Sequence, residues 1–127
     1  MKFTFSWLKE YLKTEVDLSV VLENLTDLGL EVEKVYDPRE KLKTFTIGKI
    51  VKVEKHQNAE KLKICTVETN LGEKQIICGA KNARKDLMVV VAHPGDFVPG
   101  IQKKINVGTI RGEQSFGMLC SEREMEV

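Results

Sequence analysis

The amino-acid sequence predicts a mainly β protein in which a small barrel follows short N-terminal helices. Helical periodicity is confined to residues 6–29, whereas apolar and polar residues alternate in short runs from residue 45 onward. Glycine and proline separate these runs, as they do in hairpin-rich proteins. Several short strands joined by such turns favour a small barrel or a sandwich.

Two helices are predicted at the N-terminus. Residues 6–13 carry apolar side chains at helical spacing, and Ser6 is the expected N-cap. A second helix is expected to begin near Asp17 or Ser19. It should end at Gly29, because glycine readily adopts the positive φ that follows a helix C-terminus.

A domain boundary is predicted where a polar segment interrupts the apolar pattern. Apolar residues between Leu30 and Val35 predict a short strand, and the polar segment 37–41 after it contains proline. Residues 1–38 are therefore predicted to form a partial α+β domain. Residues 39–127 are predicted to form the β domain.

Five strands are expected in the second domain, and Gly48 in the first of them predicts a bulge or a sharp bend. The pattern fits a five-stranded Greek-key barrel of the OB-fold type, and a sandwich fragment fits the periodicity almost as well. The segments predicted as strands or hairpin are 45–53, 63–69, 74–78, 87–92 and 105–110.

The charge of the chain is unevenly distributed. Residues 1–38 have a net charge of −4, whereas residues 41–118 hold fourteen Lys or Arg and seven Asp or Glu, a net charge of +7. A basic segment beside an acidic one indicates a polyanion site within the basic part. A solvated lysine-rich surface explains the same charges without a ligand.

No catalytic or metal centre is predicted. Cys65, Cys78 and Cys120 show no C-x-x-C spacing, so we expect reduced, buried thiols. His56 and His93 lack a recognisable nucleophile motif, and no glycine-rich phosphate loop is present. No apolar run approaches the roughly 20 residues of a membrane span, so a cytoplasmic protein without membrane contact is expected.

Three segments of the basic domain combine cations with amide, imidazole and hydroxyl groups. Cations suit phosphate oxygens, whereas His, Asn and Ser suit ribose hydroxyls or base edges. Only 6% of the residues are aromatic, which favours a folded RNA held by its backbone over stacked single strands. The predicted RNA contacts are Lys55, His56, Asn58, Lys61, Lys63, Lys81, Asn82, Arg84, Lys103, Lys104, Arg111 and Ser115.

These segments resemble the tRNA-binding OB domain of several aminoacyl-tRNA synthetases and of free-standing tRNA-binding proteins. The resemblance lies in residues 56–62 (HQNAEKL), residues 78–84 (CGAKNAR) and residues 111–122. The chain departs from the family at Glu60, where Asp is frequent, and at Lys81, where Pro is frequent.

The N-terminal segments 5–12 and 25–33 resemble the opening of the bacterial phenylalanyl-tRNA synthetase β subunit. The resemblance then covers essentially the whole chain. It implies a tRNA-binding module of an α2β2 ligase that joins phenylalanine to its tRNA with ATP and Mg²⁺. It places catalysis on the α subunit, so that tRNA and that subunit are the expected partners. This chain itself is expected to hold no cofactor and to bind no DNA.

The family resemblance further implies that the first domain is completed by chain returning after the OB domain. Two other interpretations stay open: a free-standing tRNA-binding or chaperone-like OB homodimer, and a subunit-interaction domain with little RNA contact. A free-standing module has no need of the acidic residues 1–38. Salt-dependent tRNA binding separates the interaction domain from an RNA-binding module.

Overall fold

The computed structural model describes residues 1–127, which form two units, Met1–Asp37 and Pro38–Val127. The first unit is helical, and the second is a β-barrel with short helices. No helix in either unit combines the length and the apolar character that crossing a lipid bilayer requires.

The first unit contains α1 (Phe5–Tyr11) and α2 (Leu18–Asp27). The N-cap of α1 is Thr4 and not Ser6, because Thr4 has the extended backbone of a cap and its hydroxyl accepts the Trp7 N–H at 3.2 Å. After α2, Gly29 has a φ of +85°. The predicted end of the second helix is thus confirmed.

The strand expected between residues 30 and 35 is not formed. A strand needs hydrogen bonds to a neighbouring strand, and Met1–Asp37 contains none. Val21 is the one buried residue of this unit. Most of its apolar side chains are exposed.

The second unit opens with α3 (Pro38–Leu42) where the sequence predicted only a polar break. Proline suits the first position of a helix, because its missing N–H would have no helical partner there. The barrel and hairpin strands follow as β1 (Thr46–Lys55), β2 (Lys63–Thr69), β3 (Gly72–Cys78), β4 (Met88–Ala92), β5 (Phe97–Val98), β6 (Lys103–Lys104), β7 (Gly108–Ile110), β8 (Glu113–Ser115) and β9 (Met118–Cys120). A 3₁₀ turn (Pro99–Ile101) and a final helix, α4 (Glu122–Met125), complete the chain.

Strands β1 to β4 and β9 form one antiparallel sheet in the order β3-β2-β1-β4-β9. Strand β4 returns beside β1 after the β1-β2-β3 meander, which is the Greek-key order. The sheet curls until the segment before β9 meets β3, where the Phe116 N–H donates to the Gln75 carbonyl at 2.8 Å. The predicted OB-type barrel is therefore confirmed, and the sandwich is excluded.

The barrel interior is filled by small and branched apolar side chains from alternate strand positions. Fully buried members are Ile50, Cys65, Val67, Ile76 and Val91. The pattern follows from the two-residue period of a strand, which turns every second side chain inward.

Gly48 lies where β1 crosses its neighbours closely. A Cβ atom at this position would come within 2.8 Å of Val67 Cγ1 and 3.0 Å of Val91 Cγ2. The irregularity in β1 lies between Ile50 and Lys52, so the bulge predicted at Gly48 is displaced along the strand. The glycine serves close approach of the strands.

The three cysteines are free thiols on strands β2, β3 and β9. Cys65 is fully buried, and Cys78 and Cys120 are half-buried. Burial raises the pKa of the Cys65 thiol to about 11 and that of Cys120 to about 11. These thiols are therefore protonated near neutral pH.

Candidate nucleic-acid interface

His56 holds the loop between β1 and β2 in place. Its ring is 4% exposed. Nδ1 accepts the Asn58 N–H at 3.0 Å, so the proton resides on Nε2, which donates to the Ile110 carbonyl at 2.9 Å. Asn58 Nδ2 also donates to the Arg111 carbonyl at 3.2 Å. The β1–β2 loop is thus tied to the turn between β7 and β8.

That turn is a two-residue hairpin loop in which Arg111 and Gly112 both have positive φ, +50° and +91°. Two successive positive φ values define the type I′ turn, which matches the twist of a β-hairpin. Arg111 is exposed at the tip, beside the β1–β2 loop.

The loop between β3 and β4 lies next to the start of β2. Lys63 Nζ donates to the Lys81 carbonyl at 2.9 Å and to the Ala83 carbonyl at 2.8 Å. Ala83 is buried, whereas the residues around it are exposed. The loops after β1 and β3 and the β7–β8 turn therefore lie at one end of the barrel.

Six exposed cations on these segments form what we call the basic rim. None of them lies within 4.0 Å of a carboxylate oxygen. The neighbouring Glu54 and Asp86 are paired instead with Lys52 at 2.8 Å and Lys49 at 3.4 Å. The members of the rim are Lys55, Lys61, Lys81, Arg84, Lys85 and Arg111.

The protein family described as "Putative tRNA binding domain" matches residues 45–127, a range that contains the barrel and the whole basic rim. This chain belongs to the tRNA-binding domain family.

The chain is also similar to phenylalanine–tRNA ligase β subunits over its whole length. It is 53% identical to that of Ruegeria pomeroyi over 127 residues and 49% identical to that of Brucella abortus over 128 residues. Each alignment covers 100% of this chain and 16% of the relative. The chain thus spans about one sixth of the length of these relatives.

A crystal structure of a MetRS related protein from Pyrococcus horikoshii matches with a TM-score of 0.49 and 22% identity. The match covers 68% of this chain and 76% of that protein.

Two residues predicted to contact RNA face the interior of the tRNA-binding domain. Both ring nitrogens of His56 are engaged in the bonds described above. Ser115 is 4% exposed; its hydroxyl accepts the Ile77 N–H at 3.1 Å and donates to the Gly117 carbonyl at 3.1 Å. The prediction is corrected for both, because their polar groups are used in closing the barrel and its loops.

Lys103 and Lys104 are not brought to the basic rim. They form β6, paired with β5 beyond the end of β4. His93, directly after β4, has its Nε2 atom 2.9 Å from Thr46 Oγ1, so β4 ends beside the beginning of β1. The basic rim lies where β1 ends. Ten residues of strand extend about 30 Å, so these lysines belong to the opposite end of the barrel.

The other predicted contacts are close to the rim, and one cation was missing from the prediction. Asn58 and Asn82 are exposed in the same loops as the rim cations, and Lys63 is half-buried beneath one of them. Lys85 is exposed directly after Arg84. The sequence feature that could have identified Lys85 is its position in the basic segment 78–85.

Proposed function

We propose that this chain is a tRNA-binding module that holds folded RNA by its phosphate backbone. The observation that carries the proposal is the basic rim: six exposed cations without carboxylate partners, on segments that lie at one end of the barrel. Membership of the tRNA-binding domain family supports it.

The side chains of the rim favour phosphate contacts over base recognition. Lysine is a flexible point donor and carries little information about base identity. The most exposed aromatic ring of the barrel unit, Phe97, lies in β5 at the opposite end. Since no aromatic ring of the rim offers a stacking surface, binding should tolerate differences between tRNA sequences. Asn58 and Asn82 can supply hydrogen bonds to ribose hydroxyls.

The activity of a longer parent protein is part of the proposal. The curated relatives are β subunits of phenylalanine–tRNA ligase, which supports an α2β2 enzyme in which this module holds tRNA during aminoacylation on the α subunit. No three His, Cys, Asp or Glu side chains of this chain converge to hold a metal ion. The ATP and Mg²⁺ of that reaction are proposed to act at the aminoacylation centre of the α subunit, as the resemblance to phenylalanyl-tRNA synthetases implies.

Residues 1–38 are proposed to belong to a small α+β domain that further polypeptide completes, with residues 39–127 as the separate OB domain. Trp7, Tyr11 and Leu28 are 54%, 78% and 78% exposed, so the helices leave apolar surface uncovered. Trp7 is the single tryptophan. Acrylamide should quench Trp7 fluorescence strongly in this chain and weakly in a longer chain whose other tryptophans are replaced by phenylalanine, and equal quenching in both would count against the proposal.

The tRNA proposal is tested by measuring the binding of two unrelated tRNAs across a salt series. Arg84→Ala should weaken both complexes alike and make the log–log salt slope shallower by about one unit, because one phosphate contact is lost. Arg123→Ala, an exposed arginine in α4, is the matched control and should leave the slope unchanged.

Salt-independent binding, or a variant that changes only the preference between the two tRNAs, would overturn the phosphate-contact proposal. Absence of binding by the unmodified chain would support the subunit-interaction alternative.

A further inference from the structure

Lys63 differs from the cations of the basic rim in how its charge is used. It is half-buried at the beginning of β2, opposite Lys55 of β1 and Cys78 of β3. No carboxylate lies within 4.0 Å of its ammonium group. Two of its three N–H donors are instead directed at the Lys81 and Ala83 carbonyls, at 2.9 and 2.8 Å.

The β3–β4 loop has few other ties to the barrel in its first half. The Asp86 N–H donates to the Ile50 carbonyl at 2.7 Å and fixes the far end of the loop. Within the loop, the Ala83 N–H reaches only the Ala80 carbonyl at 3.3 Å. Lys63 and the buried Ala83 side chain therefore anchor the stretch that carries the rim cations Lys81 and Arg84.

We propose that Lys63 is a positioning residue for the RNA-binding surface and does not bind phosphate itself. It fixes the β3–β4 loop through its hydrogen bonds to the Lys81 and Ala83 carbonyls. The inference rests on the proposed tRNA binding. Because the loop is ordered before RNA arrives, its cations lose less conformational freedom on binding. Lys63 thus raises affinity without adding a phosphate contact.

Lys61 provides a matched comparison two residues away. It is exposed in the β1–β2 loop and belongs to the basic rim. Removing either ammonium changes the net charge of the chain by the same amount. A phosphate ligand contributes to the salt slope, whereas a positioning residue contributes to affinity at every salt concentration.

The test compares Lys63→Met, Lys63→Arg and Lys61→Met by two measurements. One is the backbone mobility of residues 79–85 in the free chain, from NMR relaxation. The other is tRNA affinity across a salt series. Lys63→Met should increase the mobility of the loop and weaken binding on the order of tenfold with an unchanged salt slope.

The two other variants separate positioning from charge. Lys63→Arg retains donors for both carbonyls and should restore loop order and most of the affinity. Lys61→Met should leave the mobility of the loop unchanged and make the slope shallower by about one unit.

The inference is overturned if Lys63→Met leaves residues 79–85 as ordered as before, or if it lowers the slope as Lys61→Met does. It is also overturned if Lys63→Arg binds no better than Lys63→Met. If the unmodified chain binds no tRNA, the proposed function fails, and the mobility measurement alone decides whether Lys63 orders the loop. Should Lys63→Met not fold, Lys63→Gln takes its place, because its shorter side chain cannot reach both carbonyls: a more mobile loop with an unchanged slope supports positioning, and an ordered loop or a shallower slope contradicts it.

Discussion

At the scale of single residues, Gly48 and Gly108 differ in the space that they leave for a larger side chain. A Cβ at Gly48 would meet side chains from two neighbouring strands at 2.8 and 3.0 Å, whereas one at Gly108 would meet no atom within 4 Å. Gly48→Ala should lower the free energy of unfolding by about 1–3 kcal/mol through overpacking. Gly108→Ala should change it by no more than about 0.5 kcal/mol. Urea denaturation measures both, and equal effects would contradict the close strand crossing.

The buried thiol of Cys65 makes stability depend on alkaline pH. Its pKa of about 11 in the folded chain lies above the ordinary value of 9.0, so the unfolded chain ionises first and binds fewer protons. The stabilising contribution is complete below about pH 9 and is lost as the pH rises to about 11.

Urea denaturation with a reductant, from pH 8 to 11, should therefore show a steeper loss of stability for the unmodified chain than for Cys65→Ala. Parallel pH profiles would contradict the burial of this thiol. Cys120 is retained in both proteins, so the variant should still lose part of its stability.

At the scale of secondary-structure elements, barrel closure depends on the end of β8 and on the segment that follows it. Ser115→Ala removes the acceptor of the buried Ile77 N–H. An unsatisfied buried donor costs about 1–3 kcal/mol of unfolding free energy. Thr109→Ala, on the exposed strand β7, is the control and should cost no more than about 0.5 kcal/mol. If the two variants lose equal stability in urea denaturation, the closure described for β3 is wrong.

The strands were predictable because their patterns are local. Alternation located β1 and β2, a hairpin turn containing glycine located β3, and a continuous apolar run located β4. Helix α3 was missed because a segment of five residues shows too little periodicity to distinguish a helical turn from a loop. The N-terminal strand was expected from apolar residues alone, and no pairing partner for it exists in its unit.

The direction in which a polar side chain points was not predictable. His56 and Ser115 lie in segments that resemble tRNA-binding motifs. Their hydrogen-bond partners, Ile110 and Ile77, are 54 and 38 residues away in the chain. The position of Lys103 depends likewise on the path of β4 across the barrel. These contacts arise from tertiary pairing, which residue type and spacing do not specify.

At the scale of the whole molecule, the net charge is small but the cations are concentrated at particular places on the surface. The chain has a formal net charge of +1, yet the basic rim gathers six cations at one end of the barrel. Lys103 and Lys104 supply two further exposed cations at the other end. Local fields rather than net charge should therefore determine where a polyanion binds.

The central claim is tested most directly by two double variants that remove the same charge from opposite ends. Lys61→Gln with Arg84→Gln should weaken tRNA binding strongly and make the log–log salt slope shallower by about two units, since two phosphate contacts are lost. Lys103→Gln with Lys104→Gln should leave the slope almost unchanged. Equal losses in the two double variants, or a larger loss from Lys103 and Lys104, would contradict binding at the basic rim.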